Sequence, residues 1–125
     1  MGNARHLTHV CLVTDDVPQL ARFYASVLAC PADIHGDQYA EVASAGAVLS
    51  CFRTSAMTQL APGAGGRNGA MILEFHVDDV DAEYERLSAL GVSIVKPPTT
   101  QPWGNRSVYF HDPDGNLVSF YQRVR

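Results

Sequence analysis

Residues 7 to 13 and 71 to 77 each read as a largely apolar strand whose faces alternate with period two, and each run gives way to an apolar period near 3.6. The first period is that of a strand with one buried face and the second is that of an amphipathic helix. The switch falls at an Asp pair both times, Asp15-Asp16 and Asp78-Asp79, so "HVCLVTDDV" (9 to 17) overlays "ILEFHVDDV" (72 to 80) without a gap at an offset of 63. The second Asp of each pair is placed to cap a helix, because its carboxylate can accept the free N–H groups of the first turn. Val17, Leu20, Tyr24, Val27 and Leu28 then share one helical face, with Pro18 where a missing N–H costs little. Val80, Tyr84, Leu87 and Leu90 repeat that face, and Gly91 can end the helix in a left-handed conformation.

Three short strand-like runs follow each helix: "ADIH", "QYAEVA" and "AVLSCF" in the first half, "VSIV", "RSVYFH" and "NLVSFY" in the second. Turn residues separate them, including Gly36-Asp37, Gly46 and the "DPDGN" of residues 112 to 116. In that last turn Pro113 fixes its own φ, Gly115 takes a positive φ and Asn116 tolerates the exit. The pattern predicts an α+β fold of two βαβββ modules in a single domain over 1 to 125. Module one covers about 6 to 53, a Gly-rich linker about 54 to 69, and module two about 70 to 122. The linker's "APGAGGRNG" lacks the G-x-x-x-x-G-K-[ST] spacing and no helix follows it, so a phosphate cradle is not expected there.

Composition narrows the partners. With 125 residues and 46% apolar content the chain can bury one core, while 9 basic against 13 acidic residues give a net charge of -4 that disfavours nucleic acid. No apolar run approaches the roughly 20 residues of a membrane span, and "MGNARHLTHV" carries neither a signal-peptide core nor a myristoylation pattern, so a cytoplasmic protein without membrane contact is expected. Cys11, Cys30 and Cys51 are odd in number and lack C-x-x-C spacing; they read as three ordinary thiols, mostly buried.

Paired βαβββ modules, Asp-capped helices and the "DPDGN" turn before the last strand together resemble the vicinal oxygen chelate superfamily, which contains glyoxalase I, extradiol dioxygenases and the fosfomycin and bleomycin resistance proteins. The resemblance runs from about His9 to Tyr121. It implies a glyoxalase/bleomycin resistance fold in which the modules curve into a cup, and a homodimer whose cups are completed between modules of two subunits. Metal enzymes of the family place one ligand on the first and last strand of each module. Carried onto this chain, those positions are His9, Ile72, Ser50 and Ser119. A divalent ion needs about three imidazole, carboxylate or thiolate ligands, so the usual metal site is expected to be missing and no cofactor is implied. A displaced set of His9, Glu74 and His76 is the alternative, because ligands at i and i+2 on a strand can reach one ion.

The remaining cup-facing residues suggest a small-molecule pocket. Val48, Ser50 and Phe52 on one strand, and Leu117, Ser119 and Tyr121 on another, give apolar and aromatic walls with two hydroxyls. Glu74 is a carboxylate that needs a partner if it faces inward, either a cationic group on a ligand or an internal Arg. Trp103 either closes over a planar ligand or covers a core edge beside Pro97, Pro98 and Pro102. Tyr39, Tyr109 and His111 line the same space if their strands are read in the right register. No G-x-S-x-G setting supports a nucleophilic serine, and the Asp pairs are explained as caps. The expected function is binding of a small organic, cationic or aromatic, molecule in the manner of a bleomycin resistance protein, with His9, Ser50, Phe52, Glu74, Trp103, Ser119 and Tyr121 as ligand-binding residues. Two alternatives stay open: a metal-dependent lyase or dioxygenase using the displaced set, and a regulatory protein whose cup is vestigial.

Overall fold

The computed structural model describes residues 7–42, 46–56 and 71–124. It divides into two compact units, Met1–Arg67 and Asn68–Arg125. The Gly-rich segment 61–69 lies outside the described residues.

The first unit runs β1 (His9–Thr14), α1 (Val17–Leu28), β2 (Ala32–His35), β3 (Tyr39–Val42) and β4 (Val48–Arg53). Its sheet has the order β1-β4-β3-β2, with β1 parallel to β4 and the other pairs antiparallel. Helix α1 starts as the residues require: Asp16 accepts a hydrogen bond from the Gln19 N–H at 3.1 Å, and Pro18 occupies the first turn. Its face of Val17, Leu20, Ala21, Tyr24 and Val27 is buried against β2, β3 and β4, where Ala40, Val42, Leu49 and Cys51 are also buried. Leu28 is only half-buried. The helix ends at Ala29, which takes a left-handed φ of 53° where glycine is the usual occupant, and its N–H reaches Ala25 O and Ser26 O.

The second unit runs β5 (Ile72–His76), α2 (Val80–Ala89), β6 (Ser93–Thr100), β7 (Asn105–His111) and β8 (Leu117–Arg123), in the sheet order β5-β8-β7-β6. It repeats the first unit, with β5 parallel to β8. Asp79 caps α2 through the Ala82 N–H at 3.1 Å. Gln122 fastens the same helix start to the last strand: its Oε1 accepts from the Val80 N–H at 2.6 Å and its Nε2 donates to Asp78 O at 3.1 Å. Arg106 adds a two-pronged ion pair to Asp81 at 2.8 and 2.9 Å. Val108, Phe110, Val118 and Phe120 form the buried layer, with the Phe110 and Phe120 rings edge to face at 5.1 Å.

Two expectations are corrected here. Helix α2 buries Val80 and Leu87 but leaves Tyr84 half-buried and Leu90 50% exposed, because the helix is only 10 residues long and Leu90 is already its C-cap, followed by Gly91 at φ 75°. Strand β6 does not stop at "VSIV" but continues through Pro97 and Pro98 to Thr100. It is an edge strand whose pairing with β7 shifts register between Ile94 and Lys96 and again between Lys96 and Thr99, so the missing proline N–H groups interrupt no interior ladder.

The "DPDGN" turn is held by a residue that turn chemistry alone did not single out. Asp112 is 4% exposed, and its Oδ1 accepts from the N–H groups of Asp114 and Asn116 at 2.9 and 2.8 Å. Its Oδ2 accepts from Asn116 Nδ2 at 2.7 Å, while Gly115 takes the expected positive φ, 84°. The turn thereby fixes where β8 begins against β7, pairing His111 with Leu117 and Tyr109 with Ser119.

Candidate functional site

Each helix covers one face of its own sheet, and alternation along the strands sends the other residues to the opposite, open face. Strand pairing then decides which of them are neighbours. In the first unit Cys11, Ser50 and Glu41 are register partners across β1, β4 and β3, and Val13, Phe52 and Tyr39 form the next row. In the second unit Glu74, Ser119 and Tyr109 form the equivalent row, flanked by Ile72, Leu117 and His111 on one side and by His76, Tyr121 and Ser107 on the other. The register settles the faces of Tyr39, Tyr109 and His111, which one-residue slips in the sequence reading would have reversed.

Both serines sit on the inner strand of their sheet and are nearly sealed, Ser50 2% and Ser119 1% exposed. Glu74 is exposed and has no hydrogen-bond or ion-pair partner among the described residues, so the internal Arg considered for it is not there. His76 and Tyr121 meet edge to face at 5.6 Å. Trp103 is 63% exposed, held out on a turn anchored beneath it by Gln101, whose N–H reaches Asn105 O at 2.7 Å and whose Nε2 reaches Ser107 Oγ at 3.3 Å. Of the cysteines, only Cys51 is buried; Cys30 is half-buried and Cys11 is exposed, because β1 turns its odd-numbered residues to the open face. This corrects the expectation of mostly buried thiols. Burial raises the Cys30 thiol above its ordinary range.

The first unit contains a cluster that sequence reasoning missed. The Tyr39 hydroxyl donates to Glu41 Oε2 at 2.6 Å, and the same oxygen lies 3.7 Å from His9 Nε2. His9 Nδ1 is 3.1 Å from the Thr8 hydroxyl. Glu41 holds the Tyr39 phenol above its ordinary pKa by accepting its proton in a hydrogen bond; burial adds to the rise, and a hydrogen bond from Ser50 opposes it. The phenol therefore remains a donor through the physiological range. The signal was present in "QYAEVA", where Tyr and Glu two residues apart share a strand face, but which face was not legible.

Tested against a metal ion, the four positions that the resemblance implies for ligands hold one imidazole, two hydroxyls and an isoleucine: His9, Ser50, Ser119 and Ile72. That donor set does not fit a divalent cation. Among the described residues no group of three or more His, Cys, Asp or Glu side chains is placed to hold a metal.

Comparison with known proteins places this geometry. The family model described as "Glyoxalase/Bleomycin resistance protein/Dioxygenase superfamily" matches residues 6–120. The uncharacterized protein YraH of Bacillus subtilis (strain 168) is 36% identical over 61 residues, which span 48% of this chain and 48% of YraH. A glyoxalase/bleomycin resistance protein/dioxygenase from Nocardioides superposes with a TM-score of 0.81 at 22% identity, over 100% of this chain and 87% of that one. A glyoxalase-related enzyme from Fulvimarina pelagi superposes with a TM-score of 0.82 at 24% identity, over 94% and 88% of the two chains. Among the described residues no helix is long and apolar enough to cross a membrane.

Proposed function

The chain belongs to the glyoxalase/bleomycin resistance protein/dioxygenase superfamily, and from that premise we propose that it binds a small organic molecule on the open faces of its sheets without a resident metal ion. The observation that carries this reading is the donor set. Where a metal enzyme of the fold needs imidazole or carboxylate, three of four positions hold Ser50, Ser119 and Ile72. What those positions offer instead suits an organic ligand: apolar and aromatic surface from Ile72, Leu117, Tyr109 and Tyr121, one buried hydroxyl at Ser119, and the exposed carboxylate of Glu74 beside it. Apolar walls supply affinity and the few polar groups orient the ligand. Trp103, standing free of the core, can stack on a planar ring. The two modules act as one domain in this proposal, and two chains pair as a homodimer, for which sedimentation should report twice the 13.6 kDa chain mass.

The test is a calorimetric titration of metal-stripped protein with zinc, nickel, manganese and ferrous iron, run beside His9→Ala and Glu74→Gln. The same proteins are titrated with the planar cation ethidium. The expected result is no stoichiometric metal binding, saturable ethidium binding that needs no metal, and weaker ethidium binding in Glu74→Gln. Tight metal binding lost in both variants would overturn the proposal in favour of a lyase or dioxygenase using His9, Glu74 and His76.

A further inference from the structure

Among the described residues, the carboxylates on the open face of the first sheet have no Lys or Arg partner, and the basic groups beside them are histidines. The described residues of the first unit contain two Lys or Arg side chains, Arg22 on α1 and Arg53, which is committed to Asp37 at 2.8 Å. Glu41 has as partners the neutral Tyr39 hydroxyl at 2.6 Å and the His9 imidazole at 3.7 Å, a separation too long for a strong ion pair. Directly opposite Glu41 in the antiparallel pair of β2 and β3 stands Asp33, whose partner is again a histidine, His35 at 3.1 Å. Like charges opposite one another across strands are destabilising unless a cation sits between or beside them.

The surroundings favour an organic cation over a solvated metal ion. Tyr39 and Phe52 pack edge to face at 6.0 Å in the row beside Glu41, and the His35 ring lies 6.1 Å from Tyr39 on its other side. Aromatic rings attract a cation that has shed its water, and a planar guanidinium or amidinium can use the ring and the carboxylate together. The Tyr39 hydrogen bond fixes one carboxylate oxygen of Glu41. The side chain remains 39% exposed, so the group is oriented yet open to a ligand.

We propose that Glu41, oriented by Tyr39 and flanked by Phe52, His9 and Asp33, is an anchoring site for the amidinium, guanidinium or ammonium group of an aromatic ligand. This rests on the reading of the chain as a metal-free binding protein and adds a second polar anchor, on the other sheet from Glu74.

The experiment follows the backbone amide resonances of the full chain during titration with benzamidinium, with neutral benzamide as control. In the wild type, saturable shifts are expected at residues 39 to 42 and 50 to 53 with benzamidinium and not with benzamide. Glu41→Gln should weaken binding about tenfold, the scale of one charge-assisted hydrogen bond in a partly solvated site, and Tyr39→Phe by a smaller factor. Absence of shifts in the wild type, equal response to benzamide, or undiminished shifts in Glu41→Gln each overturn the assignment. An undiminished response in Glu41→Gln beside intact ethidium binding would remove this anchor while the general binding function stands; loss of ethidium binding with the benzamidinium shifts intact would do the reverse.

Discussion

Replacing Asp112 should unfold the chain at markedly lower denaturant, and the structure allows the size to be worked out. Its carboxylate, 4% exposed, accepts three hydrogen bonds at 2.7 to 2.9 Å from Asp114 N, Asn116 N and Asn116 Nδ2. A hydrogen bond to a charged group contributes about 1.5 to 3 kcal/mol, but three bonds to one group are not additive. Asp112→Ala removes all three and frees two backbone N–H groups in a turn that sets the start of β8, so a loss of about 3 kcal/mol is expected. Asp112→Asn can keep the two backbone donors on its carbonyl oxygen while its amide nitrogen repels Asn116 Nδ2, so about 1 to 2 kcal/mol is expected. Urea unfolding at constant m reads both, and at this chain length Asp112→Ala should lower Tm by about 10 °C. A loss below about 0.5 kcal/mol for Asp112→Ala would refute the argument that this carboxylate, and not Pro113 and Gly115 alone, holds the turn.

Ala29→Gly should stabilise the fold by up to about 1 kcal/mol, since Ala29 sits at φ 53° and glycine meets no Cβ penalty there; thermal unfolding checks it, and a destabilised variant would contradict the strain assigned to that cap. Tyr39 should ionise above the ordinary phenol range, because its neutral form donates to Glu41 and, to a smaller extent, because it is half-buried. An acid whose folded pKa is raised binds its proton more tightly when folded, so this contribution to stability is full below the unfolded value of 10.0 and is lost as pH rises through the higher folded value. Tyrosinate absorbance during alkaline titration should show a late-ionising component that moves earlier in Glu41→Gln; an unchanged profile would break the link between the two residues.

Local chemistry carried much of this protein in plain view. The period-two runs, the switch to period 3.6 and the two Asp caps placed β1, α1, β5 and α2 to within a residue or two, because those features depend on neighbours close in the chain. The repeat itself was equally legible, and the structure adds that both units share one topology, β1 pairing in parallel with β4 as β5 does with β8. Local pattern failed where a distant partner decided the outcome. Pro97 and Pro98 read as loop residues, yet β6 holds them because it lies at an edge.

The candidate site divides along the same line. The types of residue were readable, and so was the mismatch of His9, Ile72, Ser50 and Ser119 with a metal, since donor chemistry belongs to the side chain wherever it stands. Which residues become neighbours was not. Alternation in "YAEV" puts Tyr39 and Glu41 on one face and Ala40 and Val42 on the other, but what the first face meets is not local information: only its pairing with β4 puts Tyr39 and Glu41 beside Ser50, on the side of His9. A side chain's chemistry is written in one position, but its face and its partners are set by hydrogen-bonded register between strands distant in sequence, and a slip of one residue reverses them.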